Sequence, residues 1–77
     1  MEEMNVRITT CNAAWGPERP VGVTKYEIEV DGVIVATAGP RATAARIGLK
    51  EGQTDIEVFA LGIGGERIAS GKVSWAN

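Results

Sequence analysis

The chain predicts an all-β sandwich of about six or seven antiparallel strands, the first of them short or absent. Three observations carry that expectation. Apolar residues recur at every second position in several short runs, Gly, Pro and Asp clusters punctuate those runs at close intervals, and no stretch makes a convincing helix.

Asp31-Gly32 supplies the strongest local signal, because a two-residue Asp-Gly loop suits a type I′ hairpin in which both central residues take positive φ. On the arm before it, Tyr26, Ile28 and Val30 share one face, while Lys25, Glu27, Glu29 and Asp31 share the other. The same period continues in Ala45, Ile47 and Leu49, in Ile56, Val58 and Ala60, and in Ala69, Gly71, Val73 and Trp75. Breaks fall at Trp15-Gly16-Pro17, Gly39-Pro40, Glu51-Gly52 and Gly64-Gly65. Strands are therefore expected near 6–15, 23–30, 33–38, 43–49, 55–62 and 67–75. The rival is a helix over Ala42 to Lys50, disfavoured by its short length and by Thr43, Ile47 and Gly48. The expected core comprises Trp15, Tyr26, Ile28, Val30, Ile47, Leu49, Ile56, Val58 and Val73.

Seventy-seven residues make one domain, 1–77, that buries only about 60–65% of its unfolded surface. A net charge of −2 gives no long-range attraction for nucleic acid, and the eight basic residues are scattered rather than striped. Cys11 has no disulfide partner, and the absence of histidine removes the usual zinc clusters. Glu2 and Glu3 stand where a signal peptide would be basic, and no apolar run approaches a membrane span. The expected product is soluble and made in the cytoplasm, with no nucleic-acid partner and no membrane insertion.

With the strands laid out, the order of landmarks resembles the fibronectin type III family, an immunoglobulin-like β-sandwich. Trp15-Gly16-Pro17 resembles its strand-B tryptophan and the proline-containing loop after it. Tyr26-Glu27-Ile28-Glu29-Val30 is similar to strand C, and Leu49-Lys50-Glu51-Gly52 to the end of strand E. Ile56 to Ala60 followed by Gly62-Ile63-Gly64-Gly65 resembles strand F and a glycine-rich F–G loop. The resemblance covers residues 6 to 75. The family's tyrosine at the start of strand F has no counterpart at Thr54-Asp55.

No catalytic constellation emerges. Gly62 to Gly65 lacks the spacing and the following helix of a phosphate loop, Ser70 and Ser74 have no histidine to activate them, and Asp31, Asp55 and Glu66 lie in separate turns without calcium-loop spacing. Glu27 and Glu29 share a face, as a paired acid–base site would require, but that face points to water. Catalytic residues, cofactors and metals are all expected to be absent.

A partner-binding role is the remaining expectation. The short N-terminal edge would offer Val6, Arg7 and Ile8 to another chain. Glu18 and Arg19 in one loop, and Gly64, Gly65, Glu66 and Arg67 around the F–G turn, are candidate contacts. Phe59, Leu61 and Ile63 fall on the outer face of their strand, where Phe59 and Leu61 join the list as an apolar patch. The expected function is a non-catalytic structural or interaction module docking onto a larger protein assembly, or associating with itself. The resemblance implies an accessory virion protein of a tailed phage, in capsid decoration or tail, with the virion as its place. The alternative is a surface-adhesion or carbohydrate-binding accessory module of a larger extracellular protein. A small hydrolase using Glu27 and Glu29 is the rival from another class.

Overall fold

Residues 1–9, 11–48 and 51–76 are described by the computed structural model, and eight strands and no helix form among them. In chain order these are β1 (Glu2–Glu3), β2 (Val6–Thr9), β3 (Asn12–Trp15), β4 (Lys25–Val30), β5 (Val33–Ala38), β6 (Ala44–Arg46), β7 (Gln53–Leu61) and β8 (Arg67–Ala76). One sheet runs β1-β8-β7-β4-β5 and the other β2-β3-β6. The two face each other as a sandwich.

Alternation sets what each strand buries. Tyr26 and Ile28 of β4, Ile56, Val58 and Ala60 of β7, and Ala69 of β8 point inward to meet Val6 of β2 and Ala13 and Trp15 of β3. The Trp15 and Tyr26 rings stack across the sheets with centroids 5.0 Å apart and planes tilted by 47°, within the geometry aromatic pairs favour. Of the expected core, Trp15, Tyr26, Ile28, Ile47, Ile56 and Val58 are buried, and Val30 and Val73 pack against them half-buried. Leu49 lies outside the described residues. The Asp31-Gly32 turn has φ of 51° and 85°, and Asp31 is fastened to the neighbouring β7: its N–H donates to the Asp55 carbonyl (2.8 Å) while its Oδ1 accepts from the Asp55 N–H (2.9 Å).

The stretch 6–15 departs from expectation. It is not one strand but a hairpin, β2 against β3, with Val6 opposite Trp15 and Ile8 opposite Ala13. Parity explains why: in one continuous strand Val6 and Ile8 would lie on the face opposite Ala13 and Trp15, and only a reversal brings all four to the core. The first strand is thus neither absent nor merely short. It is divided between the sheets, because β1 pairs in parallel with β8, Glu2 opposite Ala69, before the chain crosses to become β2. The expected strand over 43–49 contracts to β6, after which the Ile47 N–H donates to the Cys11 carbonyl at 2.9 Å.

The crossing happens over Gly71. The Met4 N–H donates to the Ser70 carbonyl at 2.7 Å, and a Cβ at Gly71 would lie 2.6 Å from Val6 Cγ2 and 2.9 Å from the Met4 carbonyl carbon. The Met4 backbone and the short, β-branched Val6 side chain leave little that can yield. Gly71→Ala is expected to cost about 1–3 kcal/mol by overpacking, lowering the thermal midpoint and stripping hydrogen-exchange protection from the Met4 amide. A variant with an unchanged midpoint and a protected Met4 would show that the crossing is not held there.

Candidate functional site

Two loops meet at one end of the sandwich. The β3–β4 loop returns to the sheet at Thr24, whose N–H donates to the Leu61 carbonyl (2.8 Å) and whose hydroxyl donates to the carbonyls of Leu61 (3.2 Å) and Gly62 (3.0 Å). The β7–β8 turn closes itself: the Gly62 N–H donates to the Glu66 carbonyl at 2.8 Å, and the Glu66 carboxylate accepts from the Gly64 N–H at 2.9 Å. A defined pair of loop tips results. At their crests, Val21 is 97% exposed and Ile63 93%. Aliphatic side chains so fully in water, on loops whose bases are joined through Thr24, are the most conspicuous apolar groups of these loops. Beside them a cleft of about 270 Å³ opens between residues 2–5 and 16–20, with Glu18 and Arg19 on its wall.

The sequence-expected contact residues divide between this end and the interior. Glu18 and Arg19 are exposed on the β3–β4 loop, and Gly64, Gly65, Glu66 and Arg67 are exposed at the β7–β8 turn. Arg7 is also exposed, and its guanidinium donates to the Gly16 carbonyl at 3.1 Å. Val6 is buried in the core and Ile8 packs against it, so the N-terminal edge offers mainly Arg7. The expected apolar patch is corrected: Phe59 is 5% and Leu61 4% exposed, leaving only Ile63 of the three in water. Val21 was missed, although a β-branched residue between Pro20 and Gly22 in a turn was a visible signal.

Arg67 does much of the covering. Its guanidinium carbon sits 3.7 Å from the Phe59 ring centre, and its Nη2 bonds Glu29 Oε2 at 3.1 Å. The Glu29 carboxylate of β4 is accounted for by the same arrangement. Glu29 stands directly opposite Glu57, a repulsive pair, and each has a cation at hand, Arg67 bonded to Glu29 and Lys72 opposite Glu57. Glu29 is thereby tied into a cross-strand ion pair on an outer face. Among the described residues, no group of three or more His, Cys, Asp or Glu is placed to hold a metal ion, and no helix is long and apolar enough to cross a membrane.

Inside, burial raises the Tyr26 phenol above its ordinary 10.0, against smaller downward pulls from the Trp15 indole and the Arg19 charge. The indole N–H meets no acceptor with hydrogen-bond geometry, and desolvation dominates. Compared with known proteins, the chain matches no family model, no curated protein and no solved structure.

Two measurements follow from this geometry. Tyr26 is the single tyrosine, so its ultraviolet titration is expected to have a midpoint above 10.0 in the folded protein. Since the folded state holds this proton more tightly, the associated stability is complete below the unfolded value and is lost as pH rises through the folded one. A midpoint at or below 10.0 would contradict the burial. Arg67→Ala is expected to cost about 0.5–1 kcal/mol in chemical denaturation and to uncover Phe59, which increased binding of a hydrophobic dye would report.

Proposed function

We propose that the chain is a non-catalytic interaction module that docks by its loop end onto a larger protein assembly. Supporting this is the observation that Val21 and Ile63, almost wholly exposed, crown two loops joined through Thr24. Exposed apolar groups beside polar and charged ones are how interfaces are built, and Glu18 and Arg19 on the first loop and Glu66 on the second are exposed beside them in the chain. The rigid sheets behind them favour recognition by loops.

The finer reading is an immunoglobulin-like sandwich of the fibronectin type III kind. In its support, β2-β3-β6 corresponds in order to strands A, B and E, and β8-β7-β4-β5 to G, F, C and C′. By that resemblance the assembly is the virion of a tailed phage, with the chain decorating its capsid or tail. Loops at a sandwich end suit attachment to a repeating surface, where many weak copies act together.

The test uses the paired substitution Val21→Ser and Ile63→Ser, which touches only exposed positions and is expected to leave the thermal midpoint unchanged. Purified phage particles from a host supplied with tagged chain are expected to carry the wild type and to lose about tenfold or more of the paired variant, an affinity loss of about 1.4 kcal/mol. Particles that carry neither form would reject the virion assignment, and equal retention of both would reject the loop end as the docking surface.

A further inference from the structure

Asp31 is followed by Gly32, and no other aspartate or asparagine in the sequence precedes a glycine. That pairing carries a reaction as well as a turn. A carboxyl one methylene from the backbone can be attacked by the nitrogen of the next residue to close a five-membered ring, and glycine, without a side chain, leaves that nitrogen unhindered. The surroundings admit the water that the reaction exchanges. Asp31 and Gly32 are both exposed, a Cβ at Gly32 would meet nothing within 4 Å, and a concavity of about 360 Å³ opens beside them along Glu29, Asp55, Glu57 and Lys72.

We propose that Asp31 is a site of spontaneous isoaspartyl formation, held off by the closed hairpin and released when the β4–β5 turn opens. Ring closure needs the Asp31 Cβ and the Gly32 nitrogen eclipsed about the Asp31 Cα–C bond. The native turn opposes that, because φ of 51° and 85° at the two residues mark a type I′ turn, which keeps ψ of its first residue at about +30°, far from the eclipsed value. The carboxylate is also engaged. Its Oδ1 accepts from the Asp55 N–H at 2.9 Å while the Asp31 N–H donates to the Asp55 carbonyl at 2.8 Å, so backbone and side chain of Asp31 are both tied to β7. An exposed turn opens at less cost than the sheet behind it, and the ring forms from that opened state.

In the opened turn the Gly32 nitrogen bonds to Cγ of the protonated Asp31 carboxyl, and the carboxyl hydroxyl leaves with the amide proton as one water. The product is a succinimide. Water then adds back: opening the new N–Cγ bond restores aspartate, whereas opening the bond between the Asp31 main-chain carbonyl carbon and the Gly32 nitrogen leaves the chain running through Cγ. Nothing is oxidised or reduced. The isoaspartyl form carries one more methylene in the backbone between Val30 and Val33, which close the two-residue turn, and its carboxylate now springs from Cα. The match to a type I′ turn and the bond from the Asp55 N–H are both lost, so a molecule that has opened and reacted does not close its hairpin as before. The turn lies at the end of β4 away from Lys25 and its partner Leu61, and the site therefore stands whether or not the loop tips dock as proposed.

Peptide mapping of aged protein tests it, with an isoaspartyl methyltransferase labelling the new α-carboxylate and an aspartate-specific endoproteinase failing to cut before the modified residue. Samples are held near neutrality, one set folded and one in denaturant. Isoaspartate is expected at Asp31 in both, forming about tenfold or more slower in the folded chain, an opening free energy of about 1.4 kcal/mol or more. The Asp55 amide, whose acceptor is the Asp31 carboxylate, supplies an independent reading: its hydrogen-exchange protection should match the slowing and disappear in the modified fraction. In denaturant, where folding does not enter, Gly32→Ala is expected to lose most of the label because its methyl crowds the attacking nitrogen. Equal rates in the folded and denatured chain would overturn the guarding role of the hairpin, and a denatured chain that gains no isoaspartate at Asp31 would overturn the site.

Discussion

The rest of the molecule depends on fitting Trp15 and Tyr26, in tilted ring contact, between two sheets in a chain of this size. The residues around them make the space. Across the five-stranded sheet, the row through Tyr26 reads Ala38, Tyr26, Ala60 and Ala69, and the next reads Ala36, Ile28, Val58 and Gly71. On the facing sheet, Ile8, Ala13 and Ala45 are neighbours. Large side chains are set among small ones, which lets the layers interlock. Ala13, Ala60 and Ala69 have no exposed surface; a larger side chain at any of them would push the sheets apart. Gly71 takes the same logic to its limit, since there the other sheet's chain passes directly over the backbone.

That crossing also disposes of an edge. By pairing β1 with β8 and β2 with β3, the first nine residues bind both layers and cover the side of the sandwich where β8 would otherwise end the sheet. On the opposite side β5 is left as the last strand, and the chain carries its longest exposed aliphatic run there. One flank is closed by the protein's own N-terminal segment and the other is open, an asymmetry produced by connectivity and not by composition.

The outer face of the five-stranded sheet shows how charge and cover combine. Glu29 and Glu57 would repel in direct opposition, and the cations of β8 offset them while Arg67 shields Phe59. An aromatic that alternation alone would leave exposed on this face is covered by an arginine bonded to Glu29. The large apolar groups left mostly in water are Met1 near the N-terminus, Val21 and Ile63 in the loops and, about half-exposed, Val33, Ile34 and Val35 of β5.

Much of this was legible in the residues themselves. Alternation is local, so β4, β7 and β8 follow from the spacing of Tyr26, Ile28, Val30, Ile56, Val58 and Val73, and the Asp31-Gly32 turn, with β5 as its second arm, follows from the φ values those two residues tolerate. The break within 6–15 was also present, as the change of parity between Val6 and Ile8 and Ala13 and Trp15, but without Gly or Pro to mark it. What the tertiary structure alone decided depends on residues far apart in the chain. The parallel pairing of β1 with β8, the close approach at Gly71 and the shielding of Phe59 by an arginine bonded to Glu29 each require strands to be already assembled. No local pattern encodes them, because the partner that satisfies each group arrives only when the sheets close.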